Sequence, residues 1–343
     1  MAKLKWGILA TGAIAQAFAR GLAHCATGDL VAVGSRDQKK ADAFGARFNV
    51  PRRHGSYEAL LADPEVEAVY VSTPHPMHEE WAIKAAQAKK HVLCEKPLGL
   101  NAKQAERIIT AAKEHDVFLM EAFMYRCHPQ IAKLVELLRG KAIGEVRHIR
   151  AAFGFDAGFD PESRLFANHL GGGGILDVGC YPVSMSRLIA GVVAGGTIAE
   201  PLKVQAVGRL GQTGVDEWTA AVLKFPGDIV AECGTAVRLT MDNTVRIFGT
   251  DGTITIPTPW IPNREGGKTT IELLRYYGKQ KGAEEITVES PNWLYALEAD
   301  VVAKHIADRQ AAFPAMTWED TLGNMRTLDR WRQAIGLVYD AEK

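Results

Sequence analysis

The first 120 residues alternate short apolar runs with stretches of helical period, and few folds can absorb that rhythm. Strand-like runs fall at Lys5–Leu9, Leu30–Gly34, Ala68–Ser72, His91–Cys94 and Val117–Met120. Between them, apolar residues recur at helical spacing over Ala13–Ala23, Lys39–Phe48, Tyr57–Ala62, Met77–Ala88 and Ala102–His115. A strand that returns through a helix runs parallel to its predecessor, and such crossovers are right-handed. The first part of the chain is therefore expected to form a parallel, doubly wound α/β sheet. Ligands of such sheets bind at the carboxyl ends of the strands.

After about Glu121 the rhythm changes. One helix, Gln130–Leu138, leads into longer strands at Val146–Phe153, Lys203–Arg209, Ala220–Phe225, Ile229–Val237 and Thr244–Gly249, with hairpin signals at Gly227-Asp228 and Asp251-Gly252. Helices at Trp293–Ala307 and Trp318–Ala334 follow. The expectation is a Rossmann domain over residues 1–122 and an α+β domain over 123–343. The second would be built on a large, mostly antiparallel open sheet, with the last helices packing back on the first domain. One face of that sheet would cover the substrate and the other would be open to self-association. At 343 residues the chain can bury two substantial cores.

Forty basic residues balance forty acidic ones, which favours neither nucleic acid nor an anionic membrane as partner. Cys25, Cys94, Cys127, Cys180 and Cys233 form no C-x-x-C pair, so neither a disulfide framework nor a zinc site is expected. His75 and His78 are close, but His78-Glu79-Glu80-Trp81 is not a metalloprotease motif and no third ligand suits, so no metal is expected. No signal peptide and no membrane-crossing apolar stretch are read. The setting expected is the cytoplasm.

The first strand turns into its helix through Ala10-Thr11-Gly12-Ala13-Ile14-Ala15. Ala10, Gly12 and Ala15 occupy the three small-residue slots of the G-x-G-x-x-G/A fingerprint. There the backbone can approach a pyrophosphate and the helix N-terminus can donate to it. The alternative is that small residues serve helix–sheet packing alone. At the end of the second strand, where an NAD enzyme usually carries Asp or Glu, stand Ser35 and Arg36, with Lys40 one helical turn on. Arginine pairs with a 2′-phosphate, so NADP is expected, with NAD as second choice. Asp37 reads as the cap of the next helix.

Glu95-Lys96-Pro97 follows the apolar run His91–Cys94 directly, which puts Lys96 at the carboxyl edge of the sheet. Farther on, Gly171–Gly174 precede Asp177 and Tyr181, four residues apart and on one face if the segment is helical. A free phenol is a poor base at neutral pH, and a nearby ammonium would favour the phenolate. Lys96, Tyr181 and Asp177 together could take a proton from an alcohol as hydride leaves its carbon. Against this stands the reading of Tyr181 as a core aromatic and Asp177 as a helix cap.

Taken together, these motifs resemble the glucose–fructose oxidoreductase / inositol dehydrogenase / MocA family. The resemblance rests on the turn Gly7–Ala15, Ser72-Thr73-Pro74-His75-Pro76-Met77-His78, Glu95-Lys96-Pro97 and the glycine-run helix, over about the first 190 residues. It implies that Lys96 contacts cofactor ribose and substrate hydroxyl, that Lys96-Pro97 is cis, that Tyr181 is the acid/base and that Asp177 binds substrate. Ser72, Thr73, Pro74, His75, His78, Glu95 and Pro97 would line the cofactor cleft with Lys96, and Arg126 would border a sugar site. The inositol dehydrogenase branch typically has histidine where Tyr181 stands. Tyrosine points to the branch of sugar dehydrogenases, glucose–fructose oxidoreductase and dimeric dihydrodiol dehydrogenases.

The reaction implied is hydride transfer between NADP and a cyclic sugar or polyol hydroxyl, as in an aldose 1-dehydrogenase, by a homodimer or homotetramer. Oxidation of trans-dihydrodiols, a closed two-sugar oxidoreductase and a non-catalytic NADP-binding regulator are the other readings. Specificity would reside in loops such as Gly154–His169. Trp293, Trp318 and Trp331 read as helix packing, and Arg326, Arg330 and Arg332 as solvent or interface charges.

Overall fold

The computed structural model describes residues 3–278 and 281–343. Six parallel strands, β1 (Leu4–Leu9), β2 (Gly28–Gly34), β3 (Arg52–His54), β4 (Ala68–Val71), β5 (His91–Glu95) and β6 (Leu119–Ala122), form a sheet in the order β3-β2-β1-β4-β5-β6. The helices between them are α1 (Ala13–Leu22), α2 (Gln38–Phe48), α3 (Tyr57–Leu61), α4 (His78–Gln87) and α5 (Ala102–Glu114). The chain order reverses between β1 and β4, which opens a crevice above their carboxyl ends. The middle strands are buried on both faces, as β4 (Ala-Val-Tyr-Val) shows, and this explains their continuous apolar runs.

Beyond β6 come α6 (Pro129–Arg139), β7 (Val146–Gly154), α7 (Cys180–Val193), β8 (Lys203–Leu210), β9 (Asp216–Phe225), β10 (Ile229–Ala236), β11 (Val245–Gly249), β12 (Gly252–Ile256), β13 (Gly267–Arg275) and β14 (Gly282–Ser290). The eight strands form a second sheet in the order β14-β13-β12-β11-β7-β10-β9-β8. It is antiparallel except where β10 pairs parallel with β7. The long crossover between these two parallel neighbours carries the glycine run and α7. Finally α8 (Leu294–His305) packs on α1 and α9 (Trp318–Ala334) on α5, so the last helices do return to the first sheet.

Some elements were not foreseen. β3 holds only three residues, two of them exposed arginines, and gives no apolar signal. β9 starts at Asp216, ahead of the expected Ala220, and β12 to β14 were not expected although polar and apolar residues alternate along β12. Against the expectation of no membrane-length stretch, the helical run Asn168–Val193 is long and apolar enough by composition, yet its apolar window is wholly buried inside this fold. The outward face of the second sheet exposes Val207 and Val222.

Candidate active site

One cleft of about 1150 Å³ runs along the carboxyl edge of the first sheet and under the second. Ala10, Thr11, Gly12, Ala13, Ile14, Ser35, Arg36, Lys40, Ser72, Thr73, Pro74, His75, His78, Glu95, Lys96, Asp177 and Tyr181 all line it. The turn after β1 is shaped in advance. Ala10 holds φ at 88°, a left-handed conformation that costs an L-residue roughly 1–2 kcal/mol. Gly12 opens α1 with no side-chain cap, and the space beside its Cα is empty within 4 Å. Free N–H groups at that helix start face the cleft. Ser72 donates to the Leu9 carbonyl at 2.9 Å, and the buried Thr73 Oγ1 has no partner.

At the far end of the cleft stand Arg36, Lys40 and Arg47. Asp37 is used as the cap of α2, accepting from Lys39 N at 2.9 Å. That end is therefore a pocket of cations whose nearest acid is already engaged. The unfilled turn, the unpartnered hydroxyl and the cations together fit a dinucleotide with an extra phosphate on its ribose.

Lys96 leaves the end of β5, and its peptide bond to Pro97 is cis. Its ammonium donates to the carbonyl oxygen of Asp177 at 2.6 Å and lies 3.9 Å from that residue's carboxylate. The carbonyl is available for a local reason. Ile175–Gly179 is a π-helical turn, in which the donor to Asp177 O would come five residues on. That residue is Pro182, which has no N–H. Arg164 donates to Asp177 Oδ1 at 2.8 Å. Burial works to raise the Asp177 pKa, but Arg164 and Lys96 outweigh it and hold the carboxyl at about 2.

Tyr181 sits in an aromatic wall. Phe123, Phe153, Tyr125 and Trp260 surround it at centroid distances of 5.2, 5.2, 5.6 and 5.9 Å. Its hydroxyl lies 3.5 Å from Met124 Sδ, and Lys96 Nζ is 5.3 Å from the ring centre. The expectation that Lys96 favours the phenolate is corrected here. Burial, with Cys180 and Glu95 nearby, pushes the phenol well above its usual range, while the ammonium is engaged by Asp177. Tyr181 is a neutral acid. Glu95 receives the Tyr70 hydroxyl and is raised by burial.

His75 and His78 both face backbone carbonyls. His75 Nδ1 lies 3.1 Å from Gly171 O, tying the cofactor side to the glycine run. His78 stands between Pro97 O and Thr73 O, 2.8 Å from each, and bridges the lysine loop to the segment after β4. Burial takes the two rings down to about 3 and 4, while the two carbonyl acceptors on His78, which only an imidazolium satisfies together, pull its pKa upward.

Two site expectations are corrected. Pro97 is not on the cleft wall; it acts through its carbonyl on His78. Arg126 does not border the cleft either. It is 1% exposed, donating to Asp320 Oδ2 at 2.7 Å and to Pro314 O at 2.6 Å, because the turn after β6 points it into the joint with α9. Arg332, read as a surface charge, is likewise buried against Glu342 and Asp329. Arg326 and Arg330 reach Glu200 and the carbonyls of Pro201 and Leu202. Sequence reasoning missed Arg164, Phe155, Ile261, Arg264 and Tyr295 on the cleft wall; they come from loops and a helix start without a motif.

A family model described as an oxidoreductase family with an NAD-binding Rossmann fold (GFO_IDH_MocA) matches residues 4–123. The GFO/IDH/MocA C-terminal domain model matches residues 131–255. The chain belongs to the GFO/IDH/MocA family. It is an NAD(P)-dependent oxidoreductase.

Among other members of the GFO/IDH/MocA family, mouse trans-1,2-dihydrobenzene-1,2-diol dehydrogenase is 37% identical over 342 residues, 99% of each chain. An uncharacterized oxidoreductase, ORF334 of Rhizobium meliloti, is 35% identical over 95% of each. KijD10, a 3-ketoreductase from Actinomadura kijaniata in complex with NADP and TDP-benzene, superposes with a TM-score of 0.84 at 27% identity, over 97% of this chain and 98% of that one. The aldose-aldose oxidoreductase of Caulobacter crescentus, complexed with glycerol, gives 0.84 at 25% over 97% of each.

Proposed function

We propose that the chain transfers hydride between NADP and a carbon bearing a hydroxyl on a small cyclic sugar or polyol, most readily the anomeric carbon of an aldose. The observation that carries this is the meeting of Lys96, Asp177 and Tyr181 at one end of the cofactor cleft, under the second sheet. Bound NADP supplies the hydride acceptor or donor. Arg36 and Lys40 bind its 2′-phosphate, Thr11 to Ile14 its pyrophosphate, and Ser72, Thr73 and Pro74 its nicotinamide half. Lys96 holds the substrate hydroxyl from the sheet side, and Asp177, kept ionised by Arg164, accepts from a second hydroxyl. Tyr181, neutral as it stands, gives its proton to a carbonyl oxygen in the reducing direction. In oxidation it must first lose that proton to solvent before it can take one from the substrate hydroxyl.

A second reading is oxidation of a trans-dihydrodiol. The aromatic wall around Tyr181 and the 37% identity to the mouse dihydrodiol dehydrogenase favour it. Nicotinamide absorbance followed with each cofactor against aldoses, polyols and a trans-dihydrodiol tests both. Turnover of aldoses with NADP supports the first reading, turnover of the dihydrodiol alone supports the second, and no turnover of any ring alcohol overturns both.

We also infer a division at residue 122, supported by the end of the first sheet at Ala122. A homodimer or homotetramer through the outer face of the second sheet is supported by exposed Val207 and Val222, and light scattering tests it. The five unpaired cysteines support a cytoplasmic setting.

A further inference from the structure

The segments that carry Lys96 and Tyr181 are each pinned from behind by a buried carboxyl group off the cleft wall. Glu121, in β6, accepts from Leu98 N at 2.9 Å through Oε1, two residues beyond Lys96. Asp216, at the start of β9, accepts from Ile175 N at 2.8 Å through Oδ2. Ile175 opens the π turn that presents Asp177 and leads to Tyr181, and that turn has no side-chain cap of its own. The two acids are 2% and 0% exposed, and in each the second oxygen, Glu121 Oε2 and Asp216 Oδ1, has no hydrogen-bond partner among the described residues. Asp216 Oδ1 also explains a glycine. Gly173 has φ 102°, and a Cβ there would lie 2.2 Å from that oxygen.

We propose that Glu121 and Asp216 are a matched pair of positioning residues, one fixing the loop of Lys96 and the other the turn of Asp177 and Tyr181, so that the two arrive in register. The proposal rests on the roles given above to Lys96 and Tyr181. While a carboxyl is neutral its proton belongs on the unpartnered oxygen, because an ionised group with one bare oxygen is far costlier to bury than a neutral one.

The surroundings agree. Glu121 faces the Thr321 hydroxyl, with Asp320 and Arg187 farther off and the thiols of Cys94 and Cys180 beside it. Asp216 faces Arg332 and the Tyr339 phenol. Burial raises each to about 7 against the pull of its N–H donors.

The test compares Glu121→Gln and Asp216→Asn, which keep an acceptor oxygen and cannot ionise, with Glu121→Met and Asp216→Leu, which leave the N–H unpaired. Wild-type turnover, and its loss in Lys96→Met, are established first, so failure of the catalytic assignment is seen separately. The expected result is a fall in kcat of about tenfold or more in each apolar variant, the order of one lost hydrogen bond to a buried group, with KM for NADP within about twofold. Each amide variant recovers kcat, and the variant carrying both amides loses an inflection near neutral pH that the wild type shows. Full kcat in the apolar variants, equal impairment in the amides, or a loss confined to KM for NADP overturns the proposal. Where an apolar variant fails to fold, the pH profile of the double amide variant decides. Loss of the inflection supports the pair, and its retention overturns it.

Discussion

The ammonium of Lys96 and the backbone carbonyl of Asp177 are 2.6 Å apart, and the same ammonium stands 3.9 Å from the Asp177 carboxylate. One residue of the crossover thus meets the sheet-edge lysine through both its main chain and its side chain. The cofactor half and the substrate half of the cleft are joined at this contact, and most of the expected behaviour of the site follows from it.

Replacement of Lys96 by methionine removes the charge and keeps much of the volume. Turnover should fall by about 10²- to 10⁴-fold, the range for a lost proton-transfer partner, while the melting temperature changes little. Near wild-type turnover sinks the role given to Lys96.

Tyr181 is neutral in the structure, so the two directions of reaction should depend oppositely on pH. Oxidation needs the phenolate and should accelerate as pH rises. Reduction needs the phenol and should slow over the same range. Tyr181→Phe should remove both dependences along with most of the rate, and pH–rate profiles in the two directions check this.

Asp177 has its pKa moved from 3.8 to about 2 by Arg164 and Lys96, against burial. A carboxyl depressed in this way contributes stability that is present above its unfolded pKa and is lost as pH falls through its folded one. Acid unfolding of the wild type should therefore steepen between about pH 4 and 2. Asp63, also held at about 2 against burial, by Arg52 and His54, contributes in the same window. Asp177→Asn should lose its share there and raise KM for the sugar, and the difference between the two acid titrations isolates it.

Arg36 lines the cleft with Lys40, where the 2′-phosphate is proposed to bind. Arg36→Ala should raise KM for NADP by about tenfold to a hundredfold, the worth of a hydrogen bond to a charged group, and leave KM for NAD nearly unchanged. Equal effects on both cofactors contradict the assignment of the 2′-phosphate.

Arg126 belongs to the joint between the turn after β6 and α9. Its replacement by methionine leaves Asp320 Oδ2 and Pro314 O without their donor while Arg187 still pairs Asp320, and should cost about 1–3 kcal/mol of stability. KM for the sugar should stay within about threefold in the folded fraction. Chemical denaturation beside steady-state kinetics separates this from a substrate contact.

The first sheet was legible because its strands are buried on both faces and its helices on one, so period and composition agree. The cofactor turn was legible for the same reason: Gly12 and Ala15 fall at the one strand–helix junction where small residues have a second use. Tyr181 and Asp177 were visible as residues but not as geometry. Their spacing was read as one face of an α-helix, whereas the turn is π-helical, and Pro182 is the residue that deprives Asp177 O of its donor. Arg164, Glu121 and Asp216 left no signal. An arginine in a loop, an acid in a buried strand and an acid at a strand start acquire meaning only through partners 13, 23 and 41 residues away. Arg126 failed in the opposite way: its motif was recognisable, but the direction of its side chain depends on α9.

Residues 339–342 bind both sides of the cleft. The Tyr339 hydroxyl donates to Gly172 O at 2.7 Å, and Glu342 receives Asn101 Nδ2 at 2.7 Å and Arg332 at the same distance. Asn101 caps α5, just past the lysine loop, and Gly172 lies within the glycine run. A stitch of four residues therefore closes loops of more than 160 and 240 residues at once. Neither half of the chain, expressed as a separate fragment, holds both edges of the cleft in place. A fusion joined directly after residue 343 lies at this seam, and a spacer there is a condition for measuring the enzyme rather than its tether.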